Sequence, residues 1–297
     1  MVAYLQTLNN SENNQKIQEV TAMLYHNLCL FPETKRYPNH ESQMVEMNEN
    51  SVVFDSRFES GNLHQAYKVS ENEYNLLIDF DIINDQYSQW FLFAAKNVKK
   101  DLKVKFNIIN LIKDNSEYTL ETQPVIFSEA KYNHHKQGWH RNCQDITYSK
   151  SPYIKLQANS FQNLITPETA AQMNSPIKSA SSFYKLSFSY TFHEAYDTVY
   201  FSQSFPYTYT DLQKYLEKMQ KSRRSSGIVE LTSLGKTPIG NDIFCLTITE
   251  NIKSKEVVQH GSKEGIVITS RIHPGESPAS YVIKGIMDLL TSEHKFA

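Results

Sequence analysis

Short apolar runs separated by polar turns fill the chain from residue 51 to about residue 205. In the run 102–109, for example, Val104, Phe106 and Ile108 alternate with polar neighbours, which is the two-residue period of a strand with one buried face. Runs of this kind lie at 52–54, 74–83, 90–95, 102–109, 124–127, 146–148, 183–192 and 198–205. Many short strands at this spacing, with few helical periods between them, predict an antiparallel β-sandwich.

Three other segments, two before the predicted sandwich and one within it, lack the alternating pattern of strands. Apolar residues at helical spacing predict a helix within 11–30, and the polar stretch 34–50 predicts a linker. The polar stretch 157–182 predicts a long loop. We therefore divide the chain into an N-terminal helix and linker (1–50), a β-sandwich (51–205) and a C-terminal region (206–297).

The C-terminal region changes to mixed helical and extended patterns. An apolar stripe that starts at Leu212 and recurs at i+3, i+4 and i+7 predicts a helix, with Thr210 or Asp211 as its N-cap. The segments 228–231 and 243–249, on either side of the turn at 235–241, predict a hairpin.

The polar turn at 271–277 is the strongest candidate for chemistry. It follows the apolar run 266–268, which predicts a buried strand, and precedes 281–290, which predicts a helix; this order predicts the start of an α/β domain. Ligands collect at such strand ends in α/β sheets, and Zn²⁺ accepts the imidazole nitrogen and carboxylate oxygen that His273 and Glu276 offer. About one H-x-x-E match is expected by chance in such a chain, so the setting carries the weight of this prediction.

Composition argues against several classes of function. A formal net charge of −2 gives no reason to expect binding to nucleic acid or to an anionic membrane surface, and no apolar run approaches the length needed to span a bilayer. The first residues lack the pattern of a signal peptide. Three widely spaced cysteines predict free thiols in a reducing compartment, which favours the cytosol.

Several segments, in this order along the chain, resemble one known family. They are FDSRFESGNL at 54–63, QWFLF at 89–93, GW at 138–139, DTVYF at 197–201, FPYTYTDL at 205–212 and RIHPGES at 271–277. Together they resemble the cytosolic carboxypeptidases, the tubulin-deglutamylating branch of the zinc metallocarboxypeptidases. The resemblance implies an N-terminal β-sandwich followed by an α/β zinc-carboxypeptidase domain.

The resemblance also implies a function. His273 and Glu276 would be the first two zinc ligands, and a zinc-bound water activated by a glutamate base would hydrolyse the C-terminal peptide bond. The substrates would be acidic tails, such as the glutamate side chains added to tubulin or other polyglutamylated proteins. The protein would be cytoplasmic and associated with microtubules or cilia.

Part of the family's site has no matching position in residues 1–297. The third zinc ligand (a histidine), the carboxylate-binding Asn-Arg pair and the catalytic glutamate all follow the first zinc motif in the family. Replacement by His140, His193, His260 or His294 is disfavoured by their sequence positions. We therefore assign no catalytic residue and expect a truncated family member that is inactive alone. The alternative is a non-catalytic module whose β-sandwich binds tubulin or acidic tails.

Overall fold

The computed structural model describes residues 52–81, 87–120, 122–155, 164–165, 181–222, 227–250, 252 and 264–293. The helix expected within 11–30 and the linker at 34–50 lie outside these residues, as does most of the loop expected at 157–182. The chain forms two compact units, one of which is Val45–Pro206, while the other includes Tyr207–Ala297.

Strands dominate the described part of the first unit. They are β1 (Val53–Asp55), β2 (Leu63–Ser70), β3 (Glu73–Ile78), β4 (Leu92–Lys96), β5 (Leu102–Leu111), β6 (Val125–Ser128), β7 (His140–Arg141), β8 (Gln144–Lys155), β9 (Leu164–Ile165), β10 (Ser181–Phe192) and β11 (Val199–Ser202). One sheet has the order β1-β4-β11-β6-β7 and the other the order β2-β3-β5-β10-β8-β9. Every predicted run overlaps one of these strands, and the predicted β-sandwich is confirmed.

One pair of strands departs from the expected antiparallel arrangement. β3 and β5 run parallel, with Tyr74 opposite Phe106 and Asn75 opposite Asn107. Between them the chain passes through β4, which belongs to the other sheet. Because the chain crosses to the second sheet and returns, β5 re-enters the first sheet in the same direction as β3.

The sequence did not predict the strands β2, β7 and β9 or the one α-helix among the described residues of this unit. The edge strand β2 has few buried side chains, so its alternation is weak. The helix α1 (Glu129–His135) follows β6 directly and ends at His134 and His135. The helix is stabilised at its start by Ser128, whose hydroxyl accepts a hydrogen bond from the Lys131 N–H at 3.0 Å.

Aromatic side chains from both sheets form the core of the sandwich. Phe106 and Phe188 come from the six-stranded sheet, and Phe93 and Phe201 from the five-stranded sheet; all four are fully buried. The ring centroids of Phe106 and Phe201 lie 5.0 Å apart across the two sheets. Such aromatic pairs contribute about 0.5–1.5 kcal/mol each beyond the burial of their area. This unit therefore has a hydrophobic core of its own.

The segment 54–63 is tied to the start of β4 by side-chain hydrogen bonds. The Asn62 amide donates to the Trp90 carbonyl at 2.7 Å and accepts from the Leu92 N–H at 3.0 Å, while the Trp90 indole donates to the Ser60 carbonyl at 2.8 Å. A Cβ atom at Gly61 would lie 2.2 Å from the Ser56 carbonyl oxygen, so only glycine fits there. These contacts explain why the segment needs glycine at position 61 and asparagine at position 62.

The second unit packs two helices against a hairpin. Its described elements are α2 (Tyr209–Lys221), β12 (Val229–Lys236), β13 (Asp242–Ile248) and α3 (Ser277–Leu290). The antiparallel pairing of β12 with β13 confirms the predicted hairpin. Leu216 and Met219 of α2 pack in one cluster with Met287 of α3 and with apolar residues of both strands. No described helix combines the length and the apolarity that crossing a membrane requires.

The predicted N-cap of α2 is wrong. The cap is Thr208, whose hydroxyl accepts from the Asp211 N–H at 3.0 Å, while the Asp211 carboxylate accepts from the Thr208 N–H at 2.9 Å. This reciprocal capping box starts the helix at Tyr209, one residue before the earlier of the two predicted caps. Asp211 therefore occupies the third position of the helix.

The predicted buried strand at 266–268 is also wrong. The structure assigns no strand there, and the side chains of Ile266 and Val267 are 87% and 90% exposed. A strand needs a hydrogen-bonded neighbour, and within the described residues β12 and β13 pair only with each other. The apolar pattern is present, but no described strand pairs with it.

Candidate metal centre

His273 and Glu276 lie on a tight turn that leads into α3. The Glu276 N–H donates to the His273 carbonyl at 3.1 Å, which closes a four-residue turn with Pro274 and Gly275 at its centre. Proline is favoured at the second position of such turns because its ring presets the backbone angle. The two candidate ligands are therefore the first and last residues of one hydrogen-bonded turn.

Both candidate ligands are accessible. The His273 and Glu276 residues are exposed, and Glu276 is the N-cap of α3 without a capping hydrogen bond from its side chain. Its carboxylate is therefore not consumed by the free N–H groups of the helix, which a capping side chain would satisfy. An imidazole and a carboxylate with free lone pairs are suitable donors for Zn²⁺.

Arg271 holds the turn from one side. Its Nε donates to the Pro274 carbonyl at 2.8 Å, and its Nη1 donates to the Ser280 hydroxyl at 2.9 Å and the Tyr207 carbonyl at 3.3 Å. The backbone of Arg271 has a φ of 55°, in the left-handed region. Burial lowers the pKa of its guanidinium from the ordinary value. The sequence motif contains Arg271, but its spacing gave no sign of this role.

The residue before Arg271 makes a second connection of the same kind. The Ser270 hydroxyl donates to the Ala279 carbonyl in the first turn of α3 at 2.8 Å. The segment entering the turn and the helix leaving it are thus linked by side-chain hydrogen bonds. We call Ser270, Arg271 and Ser280 the clamp of the turn.

The turn offers two candidate ligands, whereas a catalytic zinc site normally has three protein ligands. Among the residues that the structure describes, no group of three or more His, Cys, Asp or Glu side chains could hold a metal ion. His260 and His294 lie outside the described residues. His140 belongs to the sandwich unit, where its Nδ1 lies 2.9 Å from the Gly138 carbonyl oxygen. The imidazole of His273 and the carboxylate of Glu276 are groups that bind zinc, but the described residues bring no third ligand to them.

The sandwich has a shallow hollow of about 600 Å³ that the sequence did not indicate. It lies beside β8 and is lined by residues that include Tyr118, Gln123, Cys143, Asp145 and Tyr148. Burial raises the pKa of the Cys143 thiol to about 12, so the thiolate that nucleophilic chemistry needs is scarce at neutral pH. The hollow therefore contains no activated cysteine nucleophile.

Comparison with known proteins gives consistent matches along the chain. A family model described as the cytosolic carboxypeptidase N-terminal domain matches residues 54–164. Human cytosolic carboxypeptidase 2 is 33% identical over 244 residues, which cover 82% of this chain and 24% of that protein. Mouse cytosolic carboxypeptidase 4 is 34% identical over 252 residues, 84% of this chain and 21% of that protein.

A solved structure extends the similarity to the fold. The metallo-carboxypeptidase from Burkholderia cenocepacia superposes with a TM-score of 0.54 at 15% identity, covering 83% of this chain and 50% of that one. This likeness concerns the fold alone. The chain spans about a quarter of the length of the curated relatives described above. From the matched sandwich domain and the similarity that continues through most of the chain, we conclude that it belongs to the cytosolic carboxypeptidase family.

Proposed function

We propose that this chain contributes the first two ligands of a zinc-dependent carboxypeptidase site, His273 and Glu276. The observation that carries the proposal is the hydrogen-bonded turn that joins these two residues and leaves both exposed. Membership of the family supports the reaction class, because the relatives are named carboxypeptidases. The third ligand would have to come from outside the described residues.

The chain's own residues would bind and orient the metal. His273 would donate an imidazole nitrogen and Glu276 a carboxylate oxygen, while the clamp would hold the backbone between them. When bound, zinc would supply Lewis acidity toward the scissile carbonyl and lower the pKa of a coordinated water. We assign no general base to a residue of this chain, and we propose that the polypeptide 1–297 is inactive alone.

The substrate proposal follows from the family. We propose that the complete site removes glutamates from the C-termini or side chains of cytoplasmic proteins, with polyglutamylated tubulin as the representative substrate. The relatives' names place them in the cytosol, and we extend that location to this chain, together with an association with microtubules or cilia. We expect no nucleic-acid or membrane partner, since the chain carries a formal net charge of only −2.

The non-catalytic alternative has less support. A sandwich that captured acidic tails would need cations free to receive them. On the six-stranded sheet, however, Lys103 Nζ lies 2.7 Å from a carboxylate oxygen of Asp145, and Lys105 Nζ lies 3.0 Å from a carboxylate oxygen of Glu73. On the other sheet, Lys96 lies 2.9 Å from Asp55. These cations already have carboxylate partners, which weakens the case for a site that binds acidic peptides.

Zinc binding by the polypeptide 1–297 tests the ligand assignment. We expect weak zinc binding in equilibrium dialysis that is lost in His273→Ala and Glu276→Ala. His134→Ala, at an exposed histidine of α1, should bind as the unchanged chain does. Equal zinc binding by His273→Ala and the unchanged chain would show that the assignment is wrong.

An activity assay tests the second part of the proposal. The metal-replete polypeptide 1–297 should release no glutamate from a polyglutamylated peptide. Release that His273→Ala abolishes would support the ligand but refute the proposed inactivity. Tight binding of a polyglutamylated peptide without cleavage, unchanged in His273→Ala, would favour the non-catalytic module.

A further inference from the structure

The Arg271 side chain connects three parts of the second unit. Its Nε reaches the Pro274 carbonyl inside the turn, at 2.8 Å. Its Nη1 reaches Ser280 in the first turn of α3, at 2.9 Å, and the Tyr207 carbonyl just before α2, at 3.3 Å. Pro274 lies between the two candidate ligands, so one guanidinium ties their turn to both neighbouring helices.

An arginine side chain suits this set of bonds better than a lysine side chain does. The guanidinium presents five N–H groups in a rigid planar fork, whereas the lysine ammonium is a single point charge on a flexible stem. The three acceptors are two carbonyl groups and a hydroxyl, and none of them is a carboxylate. The arrangement therefore depends on the geometry of the side chain more than on pairing of charge.

The surroundings of Arg271 also favour one conformation. Its backbone has a positive φ of 55°, which non-glycine residues rarely adopt. Ser277 and Ser280 in the first turn of α3 are buried. The rings of Tyr207 and Tyr281 pack edge to face, with their centroids 5.2 Å apart. The side-chain bonds help to stabilise a backbone conformation that costs free energy.

The candidate ligands themselves contribute little to this order. The structure gives neither side chain a capping or turn-closing role; the turn is closed by the backbone of Glu276 and His273 at 3.1 Å. Metal affinity depends on how well donor groups are held in place before the ion binds. The residue that holds this turn therefore influences the affinity without contacting the ion.

We propose that Arg271 is a positioning residue that holds His273 and Glu276 in the geometry for binding a divalent metal, a role that rests on the proposed zinc function. It acts through the Pro274 carbonyl and the start of α3. Ser270 and Ser280 complete the same clamp.

The experiment measures zinc affinity and turn order separately in the polypeptide 1–297. Zn²⁺ alone is titrated in competition with a chromophoric chelator, using the unchanged chain, Arg271→Ala and Arg271→Lys. Loss of an outer-shell partner typically lowers metal affinity by about 10–100-fold, and we expect a decrease of this size in Arg271→Ala with partial recovery in Arg271→Lys. Lys284→Ala, which removes a cation of α3 that pairs with Asp288, is the control and should leave the affinity unchanged.

Hydrogen exchange provides the readout that does not involve metal. The Glu276 amide donates to the His273 carbonyl, so its exchange rate reports closure of the turn. Without metal, this amide should exchange faster in Arg271→Ala than in Lys284→Ala, while the amides of the β12–β13 hairpin remain protected in both. If Arg271→Ala unfolds the unit, the same comparison is made with Arg271→Lys.

The outcomes distinguish the two proposals. Unchanged zinc affinity in Arg271→Ala, with binding that still depends on His273, would overturn the positioning role and leave the zinc site standing. Absence of His273-dependent binding in the unchanged chain would overturn the zinc function. The exchange rate of the Glu276 amide would then decide whether Arg271 orders the turn, and equal rates in Arg271→Ala and Lys284→Ala would refute it.

Discussion

Asn110 shows how one side chain can replace part of a sheet's backbone pairing. It is completely buried on β5, where its amide donates to the Ile78 carbonyl at 2.8 Å and accepts from the Ile78 N–H at 3.0 Å. The regular parallel register between β3 and β5 extends only to Leu76 and Ile108. The asparagine thus satisfies two buried backbone groups beyond the last regular pair.

We therefore expect Asn110→Ala to destabilise the sandwich markedly. It would leave the N–H and the carbonyl of Ile78 buried without partners, which costs about 2–4 kcal/mol in the free energy of unfolding. Urea unfolding followed by tryptophan fluorescence measures the change. Asn115→Ala is the control, because Asn115 is exposed, and its effect should stay within about 0.5 kcal/mol. Equal effects of the two substitutions would contradict this account.

Cys143 provides a test of burial through its chemistry. Burial raises the pKa of its thiol from 9.0 to about 12, so ionisation is easier in the unfolded chain than in the folded one. The contribution of this group to stability is therefore complete below about pH 9 and decreases as the pH rises from about 9 toward 12.

The same shift predicts slow labelling of Cys143. At pH 8, iodoacetamide should modify Cys143 only after denaturant has unfolded the sandwich, because the reactive species is the thiolate. Cys245, which is half-buried in β13, serves as the comparison and should be modified in the native protein. Peptide mass spectrometry gives both rates, and rapid native labelling of Cys143 would refute its burial.

At the scale of the element, α2 depends on a reciprocal cap. Thr208 and Asp211 satisfy each other's backbone N–H groups, and the Thr208 hydroxyl also donates to the Asp211 carboxylate at 2.8 Å. The helix contributes Leu216 and Met219 to the core of its unit. Loss of the cap therefore affects packing as well as the first turn of the helix.

We expect Thr208→Ala to lower the free energy of unfolding of the second unit by about 1 kcal/mol, the usual cost of removing such a cap. Thr208→Ser retains the hydroxyl and should stay within a few tenths of the unchanged value. Thermal unfolding followed by circular dichroism at a helical wavelength measures both variants. An alanine variant as stable as the serine variant would show that the capping box is unimportant.

At the scale of the whole molecule, the sandwich has what it needs to fold by itself. The aromatic core around Phe106 and Phe201 is built entirely from residues of the unit Val45–Pro206. Hydrogen bonds such as those of Asn62 and Asn110 also have both partners within it. A unit with its own core and satisfied polar groups is expected to fold independently.

We predict that the polypeptide 45–206 unfolds cooperatively and has a β-type circular dichroism spectrum. Phe106→Ala in this polypeptide should cost about 3–5 kcal/mol because it opens a cavity in the core. Leu120→Ala is the control, since Leu120 is 78% exposed, and should have little effect. A mainly helical spectrum or a gradual unfolding transition would contradict independent folding.

Local patterns were sufficient for much of the fold. The alternation around Phe106 predicted β5, because successive side chains of a strand point to opposite faces. The hairpin β12–β13 and the helix α3 were likewise visible in the sequence. The spacing of His273 and Glu276 identified the candidate turn, and their role as zinc ligands remains a prediction.

Only the tertiary structure could decide which segments pair. The parallel pairing of β3 with β5 joins segments that another strand separates along the chain, and whether the run 266–268 pairs depends on strands outside that run. The strand β2 pairs with the adjacent β3, but its place at the edge follows from the order of the whole sheet. The hydrogen bond from Arg271 to the Tyr207 carbonyl likewise joins residues that lie 64 positions apart along the chain. The sequence by itself determined where apolar periods and turn residues fall, because these follow from local backbone geometry. The three-dimensional structure decided strand order, burial and the hydrogen-bond partners of single side chains, because these depend on contacts between distant residues.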